Sequence, residues 1–436
     1  MKKEFSQAEL AEIKTKDNKA FKGILIPSSE KDTIFIKLKS GYNIGILKSK
    51  IKGVKKLGKI KIERPEATQH KHNKALPTIS ILHTGGTVAS EVDYSTGAVY
   101  PRFTPQEIVA KFPELGSAAN IHSKLISNMF SEDMRFAHYN KIAKEIESEI
   151  KKGVNGIILT HGTDTMHYTS AALSFMLQDL PIPVILVGAQ RSSDRGSSDA
   201  FLNLASAALF IAKTDFAGVA ICMHANMNDN DCLILPGLKT RKMHSSRRDA
   251  FKAINAKPIA RVNYYKQIAE FLTHDHKKIS KGTKLKVHLL RENLRIGIVR
   301  SHPSMHATEL KAYSNFHGLI LEGTGLGHFP VSKIDQKTGE NEKILSEIKK
   351  LAKKMPVFMT TQTIFGRVNI NVYSTGRKLQ EAGVIGNYSD MTAETAFVKL
   401  AYLLSNHKNK EEVKRLMNEN LHGEISKRIV GEEEFL

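Results

Sequence analysis

Several segments of this 436-residue chain set hydroxyl and charged side chains where the backbone turns tightly after an apolar run. The first is Thr84-Gly85-Gly86-Thr87-Val88-Ala89. Paired glycines let the main chain turn sharply and approach a ligand, which leaves the Thr87 hydroxyl exposed. In the second, His161-Gly162-Thr163-Asp164-Thr165-Met166, a hydroxyl stands beside a carboxylate where a helix begins. That combination can bind and orient a polar substrate with an anionic end. Thr and Asp are also good helix caps, so taken alone this segment reads equally as a capping turn. Two further runs end in Gly188-Ala189-Gln190-Arg191-Ser192 and in Leu235-Pro236-Gly237-Leu238-Lys239-Thr240, the latter offering Lys239.

The elements that must carry these turns are legible from hydrophobic patterning. Ile79–His83, Gly156–Thr160, Pro183–Gly188 and Gly218–Met223 are short apolar runs, each ending in Gly or a polar turn, as buried parallel strands do. Between them, Arg135–Lys152 repeats Phe136, Tyr139, Ile142, Ile146 and Ile150 at helical spacing. Strand–helix alternation predicts a doubly wound α/β layer whose ligands sit at the carboxyl ends of the strands. After the polar stretch 274–286 a second, smaller α/β set follows, with strands at Arg295–Arg300, Gly318–Glu322 and Pro356–Thr361 and a helix at Thr392–Ser405.

Composition narrows the class. The net charge is +21, and residues 1–75 hold 18 Lys and one Arg against eight carboxylates, about half of the excess in one sixth of the chain. Such clustering is the footprint of a phosphate-rich partner or of a solvated lysine-rich face. Phe21–Pro27, Thr33–Lys39 and Tyr42–Leu47 are short strands at about ten-residue spacing, which predicts a small barrel of the SH3 or Sm kind. The polar, proline-bracketed stretch 63–77 reads as a linker. Two cysteines cannot form a disulfide framework, and no apolar run approaches a membrane span, so a soluble cytoplasmic chain without membrane contact is expected.

Taken in order, TGGTVAS at 84–90, SEDM at 131–134, LTHGTDTM at 159–166, VGAQR at 187–191 and LKT at 238–240 resemble the motifs of the bacterial-type asparaginase/glutaminase family. The resemblance implies an amidohydrolase in which Thr87 is the nucleophile and Thr163, Asp164 and Lys239 form a second group. Ser131 and Glu132 would help hold the amino-acid end of the substrate. A loop tyrosine is also implied, with Tyr94 and Tyr100 as candidates. His328, in the turn Gly323–His328, would reach a neighbouring subunit's site from the second domain, at a position often Asn in stand-alone enzymes. The chemistry is consistent: an amide is a poor electrophile, so the hydroxyl needs a polarising network and fixed oxyanion donors. A β-branched nucleophile has few rotamers to lose.

The basic extension before the first motif is similar in layout to the glutaminase-subunit branch of archaeal glutamyl-tRNA(Gln) amidotransferases. That branch implies hydrolysis of free L-glutamine, with ammonia passed to a partner kinase/transamidase subunit acting on mischarged Glu-tRNA(Gln). The chain itself would need no cofactor, ATP and Mg²⁺ belonging to the partner, and would form a homodimer core within a heterotetramer. The alternative is a free L-asparaginase/glutaminase with a basic extension. The expected fold is a two-domain, doubly wound asparaginase/glutaminase-type sheet preceded by a small β-barrel: barrel 1–62, linker 63–77, large α/β domain 78–286, smaller α/β domain 287–420 and tail 421–436. Other signals are weaker. Gly53–Ile60 nearly matches a phosphate loop but ends in Ile where a Mg²⁺-binding hydroxyl is needed. Cys222 and Cys232, and the pairs His70/His72, His274/His276 and His302/His306, lack the companions of a metal site.

Overall fold

The computed structural model describes residues 7–28, 30–61, 73–86, 90–92, 99–101, 115–192, 197–280 and 282–428. The N-terminal domain is a barrel-like sheet of five antiparallel strands. Ala20–Ile26, Thr33–Leu38 and Asn43–Leu47 match the three strands expected from the sequence. Gln7–Thr15 and Ile51–Lys61 complete the sheet. Residues 52–59 of the last strand are exposed throughout, which is why it lacks the alternating pattern that marks a half-buried strand. The near-miss phosphate loop lies in this strand, not at a strand-to-helix turn. Ile13, Ile36 and Ile46 make a small core.

The first α/β domain is built on eight strands. Asn120–Met129, Thr78–Gly85, Gly156–Thr160, Pro183–Val187 and Gly218–His224 lie side by side in parallel. Cys232–Pro236, Ala260–Asn263 and Ile268–Phe271 extend the sheet antiparallel. The central strands are apolar because both faces are covered. One face packs on the helices Phe136–Lys151 and Met166–Met176, the other on Ala200–Lys213. From the Thr78 strand the chain runs first to the Asn120 strand on one side, then to the Gly156 strand on the other. Strand order therefore reverses between the Thr78 and Gly156 strands, the place where open α/β sheets form a crevice.

The second domain has three parallel strands, Ile296–Arg300, Gly318–Gly323 and Val357–Thr361, with a core of its own. Its helix Ala393–Asn406, however, shares the first domain's core: Ala396, Leu400 and Leu403 belong to the same cluster as Leu173 and Phe175. The segment expected to be a tail is docked over residues 421–428. Glu424 is fully buried against Lys399 at 2.7 Å, and Arg367 Nη2 donates to the carbonyl of Ser426. The acidic end 432–434 lies outside the described residues.

Candidate active site

The two strands flanking the reversal end in the two motifs with the richest chemistry. Gly85 and Gly86 both have positive φ, 109° and 82°. A Cβ on Gly86 would lie 2.5 Å from the amide nitrogen of Gly162, so only glycine lets the two loops meet backbone to backbone. Gly86 immediately precedes Thr87, and Gly162 immediately precedes Thr163. Thr87 and Tyr94 themselves lie outside the described residues, and Tyr100 falls in the short strand Val99–Pro101, described only as backbone.

Thr163 is buried, whereas the carboxylate of Asp164 is 67% exposed. Lys242 joins them, its Nζ donating to Thr163 Oγ1 at 2.9 Å and to Asp164 Oδ1 at 2.7 Å. This corrects the expectation for Lys239. That lysine is buried elsewhere, its Nζ donating to Asp390 Oδ2 at 2.7 Å. Burial pulls its pKa down, with Asp390 opposing. Lys242 ends the short strand Thr240–Lys242, paired with Phe251–Ala253. Both lysines follow the same glycine turn, and their spacing in the sequence does not favour either. Nothing local in the sequence separates them; the tertiary contacts of each lysine do.

Behind the Thr163 loop, His161 is fully buried and burial lowers its pKa to about 4. Its Nδ1 lies 2.7 Å from the Gly162 carbonyl, which can only accept. The proton therefore sits on Nδ1, and Nε2 accepts from Thr169 Oγ1 at 2.8 Å. Thr165 does not cap the following helix with its side chain. Its Oγ1 donates instead to the carbonyl of Ser131 at 2.6 Å. Ser131 is thus held against this loop: a Cβ on Gly162 would lie 2.8 Å from its Cβ. Ser131 begins a 3-10 turn through Asp133, with Glu132 exposed beside it and their side chains 3.5 Å apart. The structure therefore brings Thr163, Asp164, Ser131 and Glu132 together.

His328 belongs to the second domain, where its Nδ1 lies 3.3 Å from Thr375 Oγ1 and its ring meets Tyr373 edge-on at 5.3 Å. Beside Asp164 and Lys242 opens a pocket of about 390 Å³, also lined by His167, Tyr168, Arg241 and Glu394. Burial opposes ionisation of Glu394, but His167 and Arg241 outweigh it and hold the carboxyl at about 2. Tyr168 is pushed up, mainly by burial and then by Glu394. Cys222 and Cys232 are free and buried. Among the described residues no group of three or more His, Cys, Asp or Glu could hold a metal ion, and no helix is long and apolar enough to cross a membrane.

Residues 78–274 match the asparaginase N-terminal family and residues 295–417 the glutaminase/asparaginase C-terminal domain. Residues 5–57 match the GatD N-terminal domain. The GatD-type glutamyl-tRNA(Gln) amidotransferase subunit of Methanococcus maripaludis is 46% identical over 95% of this chain and 96% of its own length. Its namesake from Pyrococcus furiosus is 45% identical over 95% of this chain and 93% of its own. The chain belongs to the GatD family of glutamyl-tRNA(Gln) amidotransferase subunits. Among solved structures, the thermostable L-asparaginase of Thermococcus kodakarensis superposes with a TM-score of 0.69 at 31% identity, covering 80% of this chain and all of that one. The L-asparaginase I of Vibrio cholerae superposes with a TM-score of 0.68 at 29% identity, covering 80% of this chain and 99% of that one. Each of these asparaginases leaves a fifth of this GatD-family chain uncovered.

Proposed function

We propose that the chain is the glutaminase subunit of a tRNA-dependent amidotransferase, hydrolysing free L-glutamine and supplying ammonia to a partner that converts Glu-tRNA(Gln) to Gln-tRNA(Gln). The observation that carries this reading is the Thr163–Asp164–Lys242 group set beside the Gly86–Gly162 contact, in a chain 46% identical to a GatD protein over nearly its whole length. In the reaction, Thr87 Oγ attacks the side-chain amide carbon of glutamine, and its proton passes to the leaving nitrogen. The C–N bond breaks to release ammonia and leave a γ-glutamyl ester on Thr87. Water then attacks the ester carbon, giving glutamate and restoring the hydroxyl. Lys242 orients the Thr163 hydroxyl and keeps Asp164 in reach of the moving proton. Ser131 and Glu132 bind the substrate's amino-acid end.

Lys48, Lys50, Lys52, Lys55, Lys56 and Lys59 are exposed on the last strand of the N-terminal sheet and the turn before it. In our reading this edge faces tRNA phosphates. The core assembles as a homodimer in which His328 of each copy completes the other's site. The test is ammonia release from glutamine and from asparagine, by the isolated chain and with partner and mischarged tRNA. Rapid partner-independent asparagine turnover would replace this reading with a free asparaginase. Removing residues 1–62 and measuring tRNA affinity at two salt concentrations tests the basic edge. A weaker affinity with a shallower salt slope supports phosphate contact, and an unchanged slope with loss of the complex points to partner docking.

A further inference from the structure

Lys242 sits on a strand too small to hold it. Thr240–Lys242 and Phe251–Ala253 form a two-stranded sheet of their own, outside the eight-stranded sheet, and an isolated pair of that kind is marginal. The segment leading to Lys242 is gripped instead by one turn of the second domain, at the start of the helix Ala393–Asn406. Thr395 Oγ1 donates to the carbonyl of Leu238 at 2.8 Å. Lys239 Nζ donates to Asp390 Oδ2 at 2.7 Å, and Arg241 Nε lies 3.0 Å from Glu394 Oε1. On the neighbouring loop Asn255, held at φ 54°, donates from Nδ2 to the carbonyl of Asp390 at 2.9 Å, while Ile254 N donates to the carbonyl of Lys239 at 2.8 Å. Residues 238, 239 and 241 are therefore each tied to the second domain immediately before the lysine that holds Thr163 and Asp164. Glu394 Oε1 also lies 3.8 Å from His167 Nε2, on the helix that opens two residues after Asp164.

The pairs Lys239–Asp390 and Arg241–Glu394 are largely dehydrated: the side chains are 6%, 3%, 26% and 8% exposed in that order. Buried ion pairs add little net stability, because desolvation offsets the attraction, and in some proteins they fix the arrangement of the segments they join. Two of them bracketing a single residue of backbone suit a part that must be placed and not merely kept folded.

We infer that the turn Asp390–Thr395 is a positioning device for Lys242, with Arg241 and Glu394 as positioning residues, so that the second domain sets the site lysine of the first. This rests on the amidohydrolase reading of the site. Arg241→Ala, Glu394→Ala, the double variant, Glu394→Asp and a control, Ile348→Val in the separate core of the second domain, are compared in the full chain by steady-state amide hydrolysis and thermal melting. Misplacement by about 1 Å can lower turnover by on the order of 10²-fold. Each single alanine variant is expected to lower kcat by about tenfold, with KM within about twofold of wild type. The double variant should be no slower than the slower single one, and Glu394→Asp should recover most of the lost kcat. Unchanged kcat in both single variants overturns the inference, as do losses that multiply in the double variant or that merely follow the melting temperature as in Ile348→Val. If the wild-type chain hydrolyses asparagine alone, the proposed substrate fails, and the same comparison is read on asparagine.

Discussion

Lys239 and Lys242 are three residues apart, and the structure predicts different consequences for removing them. Lys242 makes two charge-assisted hydrogen bonds, to Thr163 at 2.9 Å and to Asp164 at 2.7 Å. Bonds of that kind are worth about 1.5–3 kcal/mol each. Asp164 is 67% exposed, so solvent screens its share and about half is counted. If these contacts act in the transition state, Lys242→Met raises the barrier by about 2.3–4.5 kcal/mol, or about 50- to 2,000-fold in kcat. Its melting temperature should fall less than that of Lys239→Met, since Asp164 is left solvated and only the buried Thr163 hydroxyl loses a partner, at about 1–3 kcal/mol. Lys239→Met acts mainly on stability, with a smaller loss of kcat because the Lys239–Asp390 pair is one of the ties that place Lys242. It strands Asp390, whose side chain is 3% exposed, and breaking such a buried pair costs about 3–5 kcal/mol. That corresponds to a fall in melting temperature on the order of 10 °C. The assay pairs steady-state glutamine hydrolysis with calorimetry on both variants. A Lys242→Met enzyme with wild-type kcat would refute the assignment of Lys242. A Lys239→Met enzyme that is inactive but as stable as wild type would restore the lysine suggested by the sequence motif.

Three further outcomes follow from the same geometry. Gly188→Ala would put a Cβ 2.6 Å from Cγ2 of Thr163, so it should lower kcat and cost about 1–3 kcal/mol in denaturant titration, as overpacking does. Glu424→Gln leaves Lys399 buried without its counter-charge and should destabilise by about 3–5 kcal/mol in urea unfolding, while adding Lys399→Met should restore much of the loss. Glu394 is held at about 2 against an ordinary value of 4.5, so the unfolded chain takes up its proton first as pH falls. Its contribution is full above about pH 4.5 and is lost toward pH 2. Glu394→Gln should flatten that part of the stability–pH curve measured by thermal melting.

Local pattern was enough for the elements that have strong period or strong turns. Gly156–Thr160 is found with the bounds its apolar run suggested, and the Phe136–Lys151 helix falls one residue inside each end of the periodic stretch. The exposed strand Ile51–Lys61 escaped because a strand open to water on both faces carries no alternation to read. Thr163 and Asp164 were legible because residue type and turn chemistry are local properties, and Ser131 and Glu132 because the order of motifs resembles a family. Which lysine joins them was not local. It depends on where the second domain's turn at Asp390–Thr395 holds a three-residue strand, with Asp390 lying 151 residues along the chain from Lys239. Order along the chain names the groups that can react. The pairing of charges between distant segments selects among them, because each lysine's side chain goes to the carboxylate that tertiary packing places within its reach.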